Sequence, residues 1–115
     1  MRWELPDGVE VLVEEPRLAV ARRAVAARAD LEARALRFLR GWLHDGFEPD
    51  RGGFELVTLE VTSSREEGAD VVLRFVFTLA ADPHEYGYTW FEVLLDEQDA
   101  PLDPWWPVGM RLGFW

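Results

Sequence analysis

The segment from Val71 to Leu79 carries the cleanest alternation in the chain. Val71, Leu73, Phe75, Phe77 and Leu79 fall on one face, and the opposite face includes Arg74 and Thr78. A period of two marks a strand with one side in a core and the other toward water. A chain holding such a strand has to build a sheet and then cover one side of it.

The cover is available upstream. From Arg17 to about Leu43 the chain is rich in Ala, Leu and Arg, holds no Pro, and reaches its first Gly at Gly41. These residues favour helix. Val20, Ala24, Ala27, Leu31, Ala35, Phe38 and Trp42 recur at spacings of three and four, and Leu36, Leu39 and Leu43 widen the stripe. Such spacing puts them on one helical face. Pro16, preceded by Glu14 and Glu15, suits the first turn of a helix. His44-Asp45-Gly46, with Pro49 beyond, suits its end. One long helix is therefore expected.

Other strand-like runs surround it. Val9, Val11 and Val13 alternate with Glu10, Leu12 and Glu14. Phe54 to Thr62 carries Val57, Leu59 and Val61 on one face. Tyr86 to Leu95 and Val108 to Trp115 follow, the last with Val108, Met110, Leu112 and Phe114 on one side and Arg111 and Trp115 on the other. Ser63 to Gly68 and Asp82 to Glu85 read as hairpin loops, and Gln98 to Trp106 reads as a longer connection holding Pro101 and Pro104. Successive hairpins imply antiparallel pairing. The expected architecture is a single α+β domain over residues 1–115, ordered β-α-β-β-β-β. In it, one long helix packs on a curved antiparallel sheet of four to five strands, an arrangement that resembles the cystatin-like fold.

A length of 115 residues with 49% hydrophobic content fits one domain with a core of its own. The absence of Cys excludes disulfides, thiolate metal sites and thiol nucleophiles. No apolar run approaches the roughly 18 residues of a membrane span. The opening Met1-Arg2-Trp3-Glu4 lacks a leader's apolar stretch, so a cytoplasmic location is expected. Lys, Ile and Asn are all missing, and Arg supplies every positive charge. The three absent types use A/T-rich codons, which points to a GC-rich bacterial genome.

Charge is segregated along the chain. Residues 17–43 hold seven Arg and two acids, a surplus of +5 that leaves −15 for the remainder of a chain whose net charge is −10. Arg22, Arg23, Arg34, Arg37 and Arg40 share the helix face opposite the apolar stripe. That face reads as a basic strip for an acidic partner, or as a solvated surface with some Arg paired to nearby acids. Nucleic acid is a poor match for a net charge of −10. The acids outside the helix serve solubility, or steer the chain toward a basic protein.

Catalytic candidates are sparse. His44 follows the helix and His84 lies in a hairpin loop, with no metal-ligand spacing between them. Ser63 and Ser64 lack the context of a nucleophile elbow. Arg51-Gly52-Gly53 is too short for a phosphate loop. No cofactor, no metal and no enzymatic activity are expected. Glu92 stands out because it interrupts an apolar strand beside Trp90 and Phe91; pointing inward with Tyr86, Tyr88 and Trp90, it would line a pocket. Trp105-Trp106 between Pro104 and Pro107 is the most unusual local feature. Proline lowers the entropy lost on ordering, and Trp is favoured at binding hot spots. At least one ring is expected to cap the open end of the helix–sheet core, but not both, since adjacent residues in an extended segment face opposite ways.

The N-terminal strand and helix, the meander Phe54–Leu95 and the ending Gly109-Met110-Arg111-Leu112-Gly113-Phe114-Trp115 resemble small bacterial immunity proteins of polymorphic toxin systems. The resemblance implies a non-enzymatic protein-binding domain, an immunity protein or inhibitor. Such a domain docks a basic partner, such as a toxin, through acidic loops and exposed aromatics. Trp105 and Trp106, flanked by Asp99 and Asp103, are the expected contact residues. The alternatives are a cystatin-like ligand-binding or catalytic domain, with a pocket lined by Tyr86, Tyr88, Trp90 and Glu92, and an acidic mimic of nucleic acid. A further alternative is homodimerisation through a sheet face or edge strand.

Overall fold

The computed structural model describes residues 1–42, 52–61, 69–79, 89–97 and 104–114. In chain order the elements are β1 (Arg2–Glu4), β2 (Glu10–Val13), a 3-10 turn (Glu15–Arg17), α1 (Leu18–Ala26), α2 (Arg28–Trp42), β3 (Gly52–Val61), β4 (Val71–Leu79), β5 (Thr89–Glu97) and β6 (Trp105–Phe114). The six strands form one sheet in chain order, β1-β2-β3-β4-β5-β6. Neighbours are antiparallel except β2 and β3, which run parallel.

The expected architecture is thereby corrected. The sheet has six strands rather than four to five, it is mixed rather than antiparallel, and two helices replace the single long one. The cystatin-like order does not hold. The extra strand, β1, has three residues and folds back on β2 through a turn in which Gly8 takes a φ of +92°. A strand so short carries no periodicity to read. The parallel pair follows from the helices: a helical crossover returns the chain to the end where β2 began, so β3 runs in the same direction.

The helix divides at Ala27, whose φ of −97° and ψ of 15° leave the helical region. The hydrogen bonding continues across the break. Ala27 N–H donates to the Arg23 carbonyl at 3.0 Å, and Leu31 N–H donates to the Ala27 carbonyl at 3.0 Å. α1 packs on β2 and β3, whereas α2 packs on β5 and β6. The break thus falls where the cover passes from one half of the sheet to the other, whose strands are rotated by the sheet's twist.

On the covered face, Val11, Leu59, Leu73, Phe75, Phe91, Val93 and Trp105 meet Ala24, Leu31, Ala35 and Leu39 from the helices. A bulge between Leu56 and Thr58 inserts one residue in β3. Phe54 and Leu56 therefore face the helices before it, and Leu59 and Val61 after it. Val57, expected to share the inner face with Leu59 and Val61, is the inserted residue and is half-buried. In β6 the start moves forward from Val108 to Trp105. Pro107 is tolerated there because β6 is an edge strand with a register shift beside it. The hairpin loops Ser63 to Gly68 and Asp82 to Glu85, together with His44 and Asp45, lie outside the described residues.

Ion pairs tie the helical cover to the sheet. Arg17 Nη2 donates to Asp70 Oδ1 at 2.8 Å, and Asp70 Oδ2 accepts from Glu97 N–H at 3.0 Å. Arg23 grips Glu97 with two bonds of 2.7 and 2.8 Å. Arg28, at the start of α2, reaches Asp7 in the β1–β2 turn and also Glu32. The Arg28 hydrogen bond holds the Asp7 carboxyl below the usual aspartate range. A depressed carboxyl stabilises the fold above its unfolded-state pKa, and that contribution disappears as pH falls through the folded value. Acid unfolding should therefore begin at higher pH in Arg28→Gln than in the wild type. Identical acid limbs in a fluorescence-monitored titration would refute the coupling.

Candidate functional site

Alternation along β5 sets the two faces apart. Phe91, Val93 and Leu95 belong to the helix-facing core, so Trp90, Glu92 and Leu94 point the other way. Glu92 is buried, yet its partners come from neighbouring strands rather than from a pocket. Its Oε2 accepts from Arg74 Nη2 at 2.8 Å, and its Oε1 lies 3.1 Å from Arg111 Nε. Arg74 also stacks over the Trp90 ring, 5.4 Å from its centroid. The register explains the cluster, since Arg74, Glu92 and Arg111 stand abreast on β4, β5 and β6. Trp90 and Glu92 thus share a polar ladder on the face away from the helices. Tyr86 and Tyr88, expected beside them, lie outside the described residues.

Trp90 also sets a demand on its neighbour in β6. A Cβ built at Gly113 would sit 2.0 Å from Trp90 Cζ2, with two further ring atoms within 2.6 Å. The indole therefore lies directly over the glycine backbone. Gly113→Ala should cost about 1–3 kcal/mol by forcing the ring off its seat. Adding Trp90→Ala to that variant should cost less than Trp90→Ala costs alone. Strict additivity of the two changes in urea unfolding would show that the ring does not rest there.

The Pro-flanked tryptophans separate as alternation requires. Trp105 is 2% exposed and part of the core, whereas Trp106 is 49% exposed. The contact pair expected from sequence thus puts only its second ring at the surface. Asp99 and Asp103 lie outside the described residues, and so does Trp115. Among the described residues the large exposed apolar side chains are Met1, Trp106, Val108 and Leu112, and the last three are all on β6. β6 is an edge of the sheet formed by the described strands. It carries no acid and a single Arg.

Beside this edge runs α2. Trp106 and Pro107 from β6, with Arg34, Arg37 and Phe38 from α2, line a hollow of about 200 Å³. Arg34 is held in place by a 2.9 Å bond to Asp30, one helical turn away, and by a 3.3 Å bond to the Trp105 carbonyl. Arg37 is exposed and makes no ion pair among the described residues. Arg34 and Arg37 lie one turn apart on the same helical face, so both reach the seam with β6. The helix face that sequence marks as basic is thereby divided. Arg23 is drawn toward the sheet by Glu97, while Arg34 and Arg37 flank the exposed edge. Alternation separated the two tryptophans in advance, but nothing local in the sequence links Trp106 to Arg34 and Arg37.

A second hollow of about 310 Å³ is lined by Arg2, Trp3, Glu4, Gly8 and Glu10, where Arg2 and Glu10 pair at 2.5 Å. Among the described residues no group of three metal-ligating side chains converges, and no helix is long and apolar enough to cross a membrane. Comparison with protein families, with curated proteins and with solved structures gives no match.

Proposed function

We propose that this chain is a non-enzymatic protein-binding domain, in the manner of an immunity protein or inhibitor, and that it docks through the β6 edge. The observation that carries the reading is the gathering of Trp106, Val108 and Leu112 on one edge strand. An edge strand offers unpaired backbone groups to another chain and is normally blunted by charge, by shortness or by a cover. β6 is ten residues long and bears one charged side chain. Exposed Trp is the residue type most enriched at binding hot spots.

The net charge of −10 adds a long-range component suited to a basic protein such as a toxin. Its reach is about 8 Å at physiological ionic strength, and it acts on association rate more than on final affinity. The edge supplies the short-range hold.

The test uses the purified chain as bait in extract from its source organism, beside a Trp106→Ser/Leu112→Ser variant. Both positions are half exposed, so the variant should keep its fold, which circular dichroism verifies. A protein captured by the wild type and lost by the variant supports the reading. Identical capture profiles refute docking at β6.

A further inference from the structure

We propose that the seam between β6 and α2 takes an extended, acidic segment of a protein partner, added to the sheet as a seventh strand. This rests on the reading of β6 as the docking edge and specifies what lies on it. Three observations lead there. First, the edge strand and the helix beside it form a trough, and Phe38, Trp106 and Pro107 are the apolar residues that line the hollow in it. A strand laid along β6 alternates its side chains, so every second one faces the α2 side. One apolar side chain can therefore fill the hollow while the main chain pairs with β6.

Second, the charge beside the trough is positive although the chain as a whole is acidic. Arg34 and Arg37 border it on the α2 side, and no acid interrupts the strand. Arg37 makes no ion pair among the described residues. Arg34 is engaged with Asp30 in an exposed pair between residues one turn apart. Such a pair is weak, and a better placed carboxylate can compete for it. A guanidinium offers a planar fork matched to carboxylate, so the two arginines favour Asp or Glu in the incoming segment. A basic segment would meet like charge at Arg34 and Arg37, so in a partner that is basic overall the docking segment itself is the acidic part.

Third, a second copy of this chain suits the seam poorly. Pairing β6 with β6 about a twofold axis would place both α2 helices on the same face of the joined sheet. The second copy's β6 carries no acid, so it offers Arg34 and Arg37 no carboxylate.

The experiment selects a displayed library of random short peptides against the full chain in low salt. The peptides recovered are then measured by titration on the wild type, Arg37→Glu and Trp106→Ala. Enrichment of peptides alternating Asp or Glu with apolar residues is expected. Their affinity should fall about tenfold or more in Arg37→Glu, the scale of one lost charge-assisted contact. It should also fall when alternate amides of the peptide are N-methylated, which blocks strand pairing. Recovered peptides that are basic or neutral, yet weakened by Trp106→Ala, would overturn the acidic class while leaving β6 as the docking edge. Peptides indifferent to Trp106→Ala would overturn the edge itself. Concentration-dependent dimerisation in sedimentation, abolished by Trp106→Ala, would assign the seam to a second copy and overturn the proposal.

Discussion

Trp105→Ala should destabilise the fold by about 3–5 kcal/mol, whereas Trp106→Ala should leave stability within about 0.5 kcal/mol of the wild type. The two residues are adjacent and chemically identical, so the contrast isolates environment. Trp105 is 2% exposed and lies at the start of β6, where the strand passes under α2. Its register partner is Glu97, which is held in turn by Arg23 of α1. Removing the indole empties the largest fully buried side chain among the described residues. The rigid strand and helix around it cannot collapse into the space, so the loss includes a cavity contribution as well as lost burial. Domains of this size hold about 5–15 kcal/mol in total, so Trp105→Ala should sit near its unfolding midpoint at moderate urea. Trp106 carries the opposite pair of expectations: little effect on unfolding, and loss of partner or peptide binding. Equal urea midpoints for the two alanine variants would contradict this division of roles.

The second large effect is expected at Phe91. Its side chain is fully buried, and its ring meets Phe54 edge-on at 5.3 Å, while Phe54 lies 4.9 Å from Phe77. The trio runs across β3, β4 and β5 on the helix-facing side. Phe91→Ala should cost about 3–5 kcal/mol from lost volume, with the aromatic contact contributing about 0.5–1.5 kcal/mol of its own. Phe91→Leu keeps much of the volume but not the edge-on contact, so it should fall between alanine and the wild type. A cycle with Phe54→Leu separates the two contributions, since a ring contact appears there as non-additivity. Additive losses would mean that Phe91 is held by burial alone.

What the sequence discloses depends on how local the cause is. The inner face of β4 follows from a period of two, and the buried Val71, Leu73, Phe75 and Phe77 sit where that period places them. The apolar stripe of the helical region is legible for the same reason. The break at Ala27 is not, because Ala-rich sequence favours helix on both sides and the break falls where the cover passes from one half of a sheet assembled later to the other. The displacement of Val57 from the inner face depends on the pairing of β3 with β4, and alternation within β3 carries no trace of it. At the candidate site, the separation of Trp105 from Trp106 is a local consequence of extended backbone. The company of Trp106 is a matter of tertiary packing, because Arg34 and Arg37 reach it from a helix far along the chain. Glu92 follows the same pattern. Its place within an apolar strand is visible in sequence, but its two arginine partners come from the strands on either side.

The parallel seam between β2 and β3 also sets an expectation for the order in which the molecule assembles. Each pairing from β3 to β6 joins consecutive segments, so that meander needs only short loops to close. The β2–β3 pairing spans both helices and must wait for a much longer closure, which costs entropy before any contact repays it. The β1–β2 hairpin should therefore join last and, by the same reasoning, detach first. Amide exchange reports such partial opening directly. Val11 and Val13 should exchange by a lower-energy route than Leu73 and Phe75, although all four are buried. One shared opening free energy for the two sets would mean that the sheet comes apart as a single piece.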